Sequence, residues 1–153
     1  PPRSTLFPYT TLFRSEKTGK KYRLPNEADW EYAACGGNKS KGYIFAGSND
    51  LNEVAWYWDN SISKTHPVGT KKPNELGIYD MSGNVCEGCQ DWYDQSYYRN
   101  SPNSNPKGPE SGNYRVVRGG SWLDNDYVSR LSYRYWFNPI FRYSYCGFRL
   151  VQD

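Results

Sequence analysis

A chain with 15 Tyr, 6 Trp and 6 Phe but a single Met has few aliphatic side chains from which to build an interior. Rings must supply part of that interior, and 14 Gly with 10 Pro leave little room for long regular elements. The expected product is a loop-rich domain with short strands. Ala, Leu and Met are too scarce for a helical bundle or coiled coil. An aromatic content of 18% argues against disorder, because disordered chains lack the apolar surface that offsets chain entropy. No run approaches the ~18 apolar residues that span a bilayer. The net charge of +3 is spread along the chain and makes no footprint for nucleic acid. At 153 residues and 17.8 kDa, one core is expected.

Local signals place several elements. Pro25 disfavours helix at Leu24, and Asn26 is a good N-cap with Glu27 and Asp29 in the first turn. A short helix then runs to Ala34 and stops at Cys35-Gly36-Gly37. Short strands are expected at 43–45, 54–58 and 66–68, and a turn leading into a strand over 85–93. Residues 95–113 read as one long loop. Arg115–Arg118 reads as a strand broken by Gly119-Gly120. Further strands are expected at 121–122, 132–137 and 147–151. Residues 1–15 hold Thr-Leu-Phe twice and no acid, and resemble translated adaptor sequence. They are taken as a non-native leader, with the domain at 16–153. The cysteines, Cys35, Cys86, Cys89 and Cys146, permit three disulfide pairings among which sequence does not choose. Cys86 and Cys89 form a CxxC, but no second ligand pair accompanies it and His66 is the sole histidine. Ordinary packing or free thiols is the better reading.

Three blocks follow one another in order. They are Tyr22-Arg23-Leu24-Pro25-Asn26-Glu27-Ala28-Asp29-Trp30-Glu31-Tyr32-Ala33-Ala34, then Asn74-Glu75-Leu76-Gly77-Ile78-Tyr79-Asp80-Met81-Ser82-Gly83-Asn84-Val85-Cys86-Glu87, then Arg115-Val116-Val117-Arg118-Gly119-Gly120-Ser121-Trp122 with a closing Gly147-Phe148-Arg149-Leu150-Val151. Together they strongly resemble the sulfatase-modifying-factor family, the formylglycine-generating-enzyme-like proteins. The resemblance implies an α+β, C-type-lectin-like, loop-rich fold, here lacking the family's N-terminal part. It also implies that the strand at 148–151 lacks its usual partner and leaves an exposed edge.

Catalytic members of that family oxidise a substrate cysteine with a copper-binding cysteine pair shortly after the Arg-Gly-Gly-Ser motif. Here Arg118-Gly119-Gly120-Ser121 is intact, but no cysteine lies between Cys89 and Cys146. Asp124 stands near the first expected position, and Val128 and Ser129 near the second. Neither carboxylate nor hydroxyl replaces thiolates in soft-metal redox chemistry, so the reading leans away from an enzyme. A formylglycine-generating-type oxidoreductase or accessory enzyme domain is the alternative. The family's structural Ca²⁺ site carries over onto the carboxylates of Asp80 and Glu87 and the carbonyls of Gly83 and Val85, a donor set suited to a hard cation. Cys86 and Gly88 occupy positions where the family has Trp, which loosens local packing.

Residues 121–148 hold ten aromatics in 28 positions. The segment resembles the variable region of diversity-generating-retroelement proteins, which share this fold. That resemblance implies a non-catalytic module whose binding surface lies within residues 123–146. The candidate ligand-binding residues are Leu123, Asp124, Asp126, Tyr127, Ser129, Tyr135, Trp136, Phe137, Ile140, Phe141, Tyr143 and Tyr145. Tyr and Trp supply contact area at low entropy cost, and Ser and Asn supply adaptable hydrogen bonds. The competing reading makes these rings the core, and Trp122, Phe148 and one of Tyr133 or Tyr135 are expected inside in either case. The expected partner is a protein or glycan, such as a cell-surface receptor, with no nucleic acid and no membrane insertion. An extracellular, cell-surface or phage-particle location is the matching expectation.

Overall fold

The computed structural model describes Thr11 and residues 14–153. Most of the expected leader, residues 1–10, 12 and 13, lies outside the described residues. The elements in chain order are β1 (Tyr22–Arg23), α1 (Glu27–Ala34), α2 (Leu51–Val54), β2 (Cys86–Trp92), β3 (Arg115–Arg118), β4 (Tyr135–Phe137), β5 (Cys146–Gly147) and β6 (Val151–Gln152), with single 3₁₀ turns at Gly37–Lys39 and Tyr97–Arg99.

Helix α1 begins where its sequence predicts. Asn26 is extended, and its N–H donates to Asp29 Oδ2 at 3.2 Å. The helix closes at Cys35, after which Gly36 adopts a left-handed φ of 86°. One face packs on the sheet through Trp30 and Ala34, both buried. Four strands form the main sheet in the order β4-β3-β2-β5. β2 and β3 are antiparallel with Glu87 opposite Arg118, β3 and β4 antiparallel with Val116 opposite Trp136, and β2 and β5 parallel with Cys86 opposite Cys146.

The terminal strand is not the exposed edge expected for it. Tyr22 pairs with Gln152 and Arg23 with Val151 in a separate antiparallel ribbon. Arg23 fastens it by donating to Asp153 Oδ1 and Asp29 Oδ2, each at 2.8 Å. Residues 148–150 are not strand, and Arg149 there donates to Glu87. No strands form at 43–45, 54–58, 66–68 or 121–122. Asp50 caps the short helix α2 instead, accepting from the Asn52 N–H at 3.0 Å. Side chains then satisfy the backbone where a ladder was expected: Asn60 accepts from the Tyr57 N–H and Asn84 from the His66 N–H. Trp56 and His66 stack with centroids 3.8 Å apart.

The core contains fewer rings than expected. Trp30, Phe45, Tyr57 and Phe137 are the buried aromatics among the described residues. Small residues and one methionine fill the remainder: Ala34, Ala46, Met81, Cys89, Val116 and Leu131 gather around Trp30. Phe148, expected inside, is exposed, and Trp122 and Tyr133 are only half-buried. Among the described residues no helix is long and apolar enough to cross a membrane.

Candidate functional site

The site is framed from below by an ion network that joins α1, β3 and the aromatic-rich segment. Arg118, fully buried, donates to Glu27 Oε1 at 2.6 Å and also to Glu31 Oε2 and the Leu131 carbonyl. Arg134 donates to both oxygens of Glu27, at 2.7 and 2.8 Å. Burial alone would lift the Glu27 carboxyl, but the hydrogen bonds from Arg134 and the charge of Arg118 hold it below its usual value. The Glu27 N–H donates to Asp91 Oδ2 at 2.8 Å, and burial raises that second carboxyl to about 6. Buried Arg118 and Glu27, joined by half-buried Arg134, thus fix where residues 131–134 enter β4.

From Arg118 the chain turns through Gly119 and Gly120, with φ of 93° and 68°. Residues 121–131 then fold into a loop held by hydrogen bonds within itself and to neighbouring segments. Ser121 Oγ donates to Asp124 Oδ2 at 2.6 Å, and the Tyr127 N–H donates to Asp126 Oδ1 at 2.8 Å. The Trp122 N–H donates to the Asn84 carbonyl, the Trp58 N–H to the Asp124 carbonyl, and the Leu131 N–H to the Ile44 carbonyl. Ser82 Oγ donates to the Ser129 carbonyl at 3.0 Å.

This layout sorts the twelve candidate residues into three kinds. Leu123, Asp126, Tyr127, Tyr135, Trp136, Ile140 and Phe141 are exposed, with Ile140 at 66% and Phe141 at 59%. Asp124, Tyr143 and Tyr145 are half-buried. Ser129 is wholly buried under Gly120, and Phe137 is 8% exposed against Val117 and Cys86, so neither is available as a contact. Phe137, on the face of β4 opposite Trp136, packs against Val117 and Cys86 at the end of the strand. Asp124 and Asp126 serve the loop's own hydrogen bonds.

The exposed rings touch one another. Tyr127 meets Tyr133 edge-on at 5.2 Å, and Tyr135 and Trp136 stack at 5.6 Å. Trp136 also lies 4.3 Å from Tyr114 and 6.5 Å from Tyr93. Tyr93 and Tyr114 fall outside the aromatic-dense stretch, so counting rings along the chain does not find them. The fold brings them in by placing the exit of β2 and the approach to β3 beside β4, where the Tyr93 N–H donates to the Tyr114 carbonyl. Next to the rings opens a cleft of about 250 Å³. Its walls include Leu123, Asp124, Val128, Tyr133, Tyr135 and Tyr145, with Cys86 and Gly120 also reaching it. Most small-molecule pockets are larger, roughly 300–1,000 Å³, so this one suits a single side chain or sugar ring. Both Asp124 and Val128, which stand where the resemblance places the catalytic cysteines, face this cleft. The one thiol in its wall is Cys86. Its hydrogen bond with Cys146, and then burial, push that thiol up.

The expected calcium donors share one turn. Asp80 adopts φ 56°, its Oδ2 accepts from the Gly69 N–H at 2.8 Å, and its Oδ1 is buried without a hydrogen-bond partner. Glu87 is otherwise engaged. Trp30 Nε1 donates to Oε2 at 2.7 Å, and Arg149 donates to both oxygens at 2.5 and 2.6 Å. Three donors and the Arg149 counter-charge leave Glu87 little capacity for a cation. The set therefore fits a cation around Asp80 and not around Glu87. Among the described residues no three His, Cys, Asp or Glu side chains gather as a metal site.

Two small sheets, short helices and long hydrogen-bonded loops define an α+β, C-type-lectin-like fold. The sulfatase-modifying factor enzyme 1-like domain matches residues 9–153, and the chain belongs to that family. Treponema denticola variable protein 1 is a similar solved structure, 44% identical with a TM-score of 0.79, covering 86% of this chain and 47% of that one. Chaperone protein LppX of Paenibacillus barcinonensis is 42% identical over 129 residues, 73% of this chain and 42% of the relative. The formylglycine-generating enzyme of Streptomyces coelicolor is 40% identical over 118 residues, 68% of this chain and 37% of the enzyme. The chain spans less than half the length of each.

Proposed function

We propose that this domain is a non-catalytic binding module whose contact face is the ring cluster of Tyr127, Tyr135, Trp136, Ile140 and Phe141 around the small cleft. The observation that supports it most is the contrast within one segment. Its polar side chains close hydrogen bonds at home, while its largest apolar ones stand in water on a fixed backbone. Four half-buried rings remove roughly 400 Å² from water on contact, about 10 kcal/mol gross, against an association cost of about 4–15 kcal/mol. Such a face binds usefully only when it is already ordered, and the loop's hydrogen bonds supply that order. Likeness to a variable protein of this family fits a diversified face that meets a protein or glycan outside the cell, on a surface or phage particle.

The test is a screen of the purified chain against a glycan array and a panel of bacterial surface proteins, repeated with Tyr135→Ala/Trp136→Ala. Any ligand found should bind the double variant at least tenfold more weakly while Tm moves by less than about 3 °C, as expected for surface hot spots. Undiminished binding by the variant overturns the reading. So does aldehyde formation when a cysteine peptide is incubated with the chain, copper and oxygen, which would restore the oxidase alternative.

A structural Ca²⁺ at Asp80 belongs to the same proposal. The unpartnered Oδ1 supports it, since a buried carboxylate oxygen without a donor is costly unless a cation meets it. EGTA should lower the melting temperature by about 3–5 °C, and Asp80→Asn should abolish the response. A melting curve indifferent to EGTA sinks this part.

A further inference from the structure

We propose that Cys86 and Cys146 form a disulfide that clamps the exit of the aromatic segment to the central strand. The two residues are direct partners in the parallel pairing of β2 with β5. Neighbouring strands lie about 4.8 Å apart, within the roughly 4.4–6.8 Å between Cα atoms that a disulfide requires. Side chains of direct partners stand on the same face of a sheet. These two do so, packing into one cluster with Val117 and Phe137. Cys146 is half-buried and so can be reached by a small oxidant, whereas Cys86 is buried.

That difference sets the order of events. With a small disulfide such as oxidised glutathione, the Cys146 thiolate attacks one sulfur and releases the first glutathione thiolate. Cys86 then loses its proton and attacks Cys146 Sγ in the mixed disulfide, releasing the second. Two protein thiols are oxidised, one glutathione disulfide is reduced to two thiols, and no other reactant is needed. The closed loop runs from β2 through the Gly119-Gly120 turn and the whole aromatic segment. Its first end is held by the Arg118 network and its second by the new bond. Cys35 and Cys89 are excluded from the pair by position: both pack against the Trp30 cluster on the other side of the core. The inference does not rest on the proposed binding role.

The full chain is incubated with oxidised glutathione and digested unreduced with trypsin and a Glu-specific protease, which cuts between Cys86 and Cys89 at Glu87. The expected product joins the Cys86 and Cys146 peptides, with Cys35 and Cys89 alkylated as free thiols. The oxidised chain should melt about 10 °C above the reduced one, and Cys146→Ser should remove that gap. The proposal is overturned if Cys86 and Cys146 remain alkylatable in the oxidised folded chain, or if either is found joined to Cys35 or Cys89. The digest needs no variant, so it remains decisive even where a Cys146→Ser chain misfolds.

Discussion

Replacing Arg118 with alanine should destabilise the chain by about 3–5 kcal/mol, the usual cost of removing one member of a buried ion network. The guanidinium's three acceptors lie on two parts of the fold. Glu27 and Glu31 belong to α1, and the Leu131 carbonyl begins the run into β4. Without Arg118, Glu27 retains Arg134 as its only cation, and the Leu131 carbonyl is left buried without that donor. Arg118→Lys should recover only part of the loss, since one ammonium cannot reproduce a fork aimed at three oxygens. The effect also carries a pH signature. Glu27 lies below its ordinary value in the folded chain. Its stabilisation is therefore complete above the ordinary glutamate pKa, about 4.3, and drains away as pH falls through the depressed one. Urea titrations at pH 7 and pH 4 check both claims. The gap between wild type and Arg118→Ala should be widest at pH 7. A loss below about 1 kcal/mol at pH 7, or a gap that grows on acidification, contradicts the role assigned to the network.

Arg118 also shows where reading the sequence succeeds and stops. Strand β3 was legible residue by residue, because Arg115-Val116-Val117-Arg118 ends at two glycines, and α1 was legible from Asn26, Glu27 and Asp29. These are local signals. What was not legible is pairing across the chain. Arg149 lies 62 residues from Glu87 and takes the carboxylate that family resemblance assigned to calcium. Tyr22–Arg23 lies at the opposite end from Val151–Gln152 and covers the strand expected to be bare. Composition likewise pointed to rings supplying part of the interior, yet only Trp30, Phe45, Tyr57 and Phe137 are buried among the described residues. Most aromatic side chains along 121–148 are exposed or half-buried, so their density there is surface more than interior. Ser129 and Phe137 turn inward, against expectation, because close packing under Gly120 and against Val117 and Cys86, invisible in the residue types, decides which members of that stretch face the core.

Gly120→Ala should cost about 2–5 kcal/mol and disturb the ring-bearing loop directly. A Cβ at this position would lie 2.7 Å from Ser129 Oγ and 3.0 Å from Ser129 Cα, at a φ of 68°. The left-handed backbone accounts for about 1–2 kcal/mol of the loss, and the overpacking for about 1–3. Ser129 has little freedom to yield. Its carbonyl accepts from Ser82 Oγ, its N–H donates to the Asp126 carbonyl, and its hydroxyl donates to the Asn125 carbonyl. The displacement therefore passes to residues 121–129, which carry Leu123, Asp124 and Tyr127. Gly69→Ala is the matched comparison. Its φ is 75°, yet the nearest atom to an added Cβ is 3.9 Å away on the Tyr79 ring. That variant should lose only the backbone contribution. The difference between the two variants in urea denaturation measures the Gly120–Ser129 contact alone, and hydrogen exchange at the Ser129 and Leu131 amides reports whether the loop has loosened. Equal losses, with those amides still protected in Gly120→Ala, would show that the two glycines matter only for their backbone angles and that the loop is held by something other than this close approach.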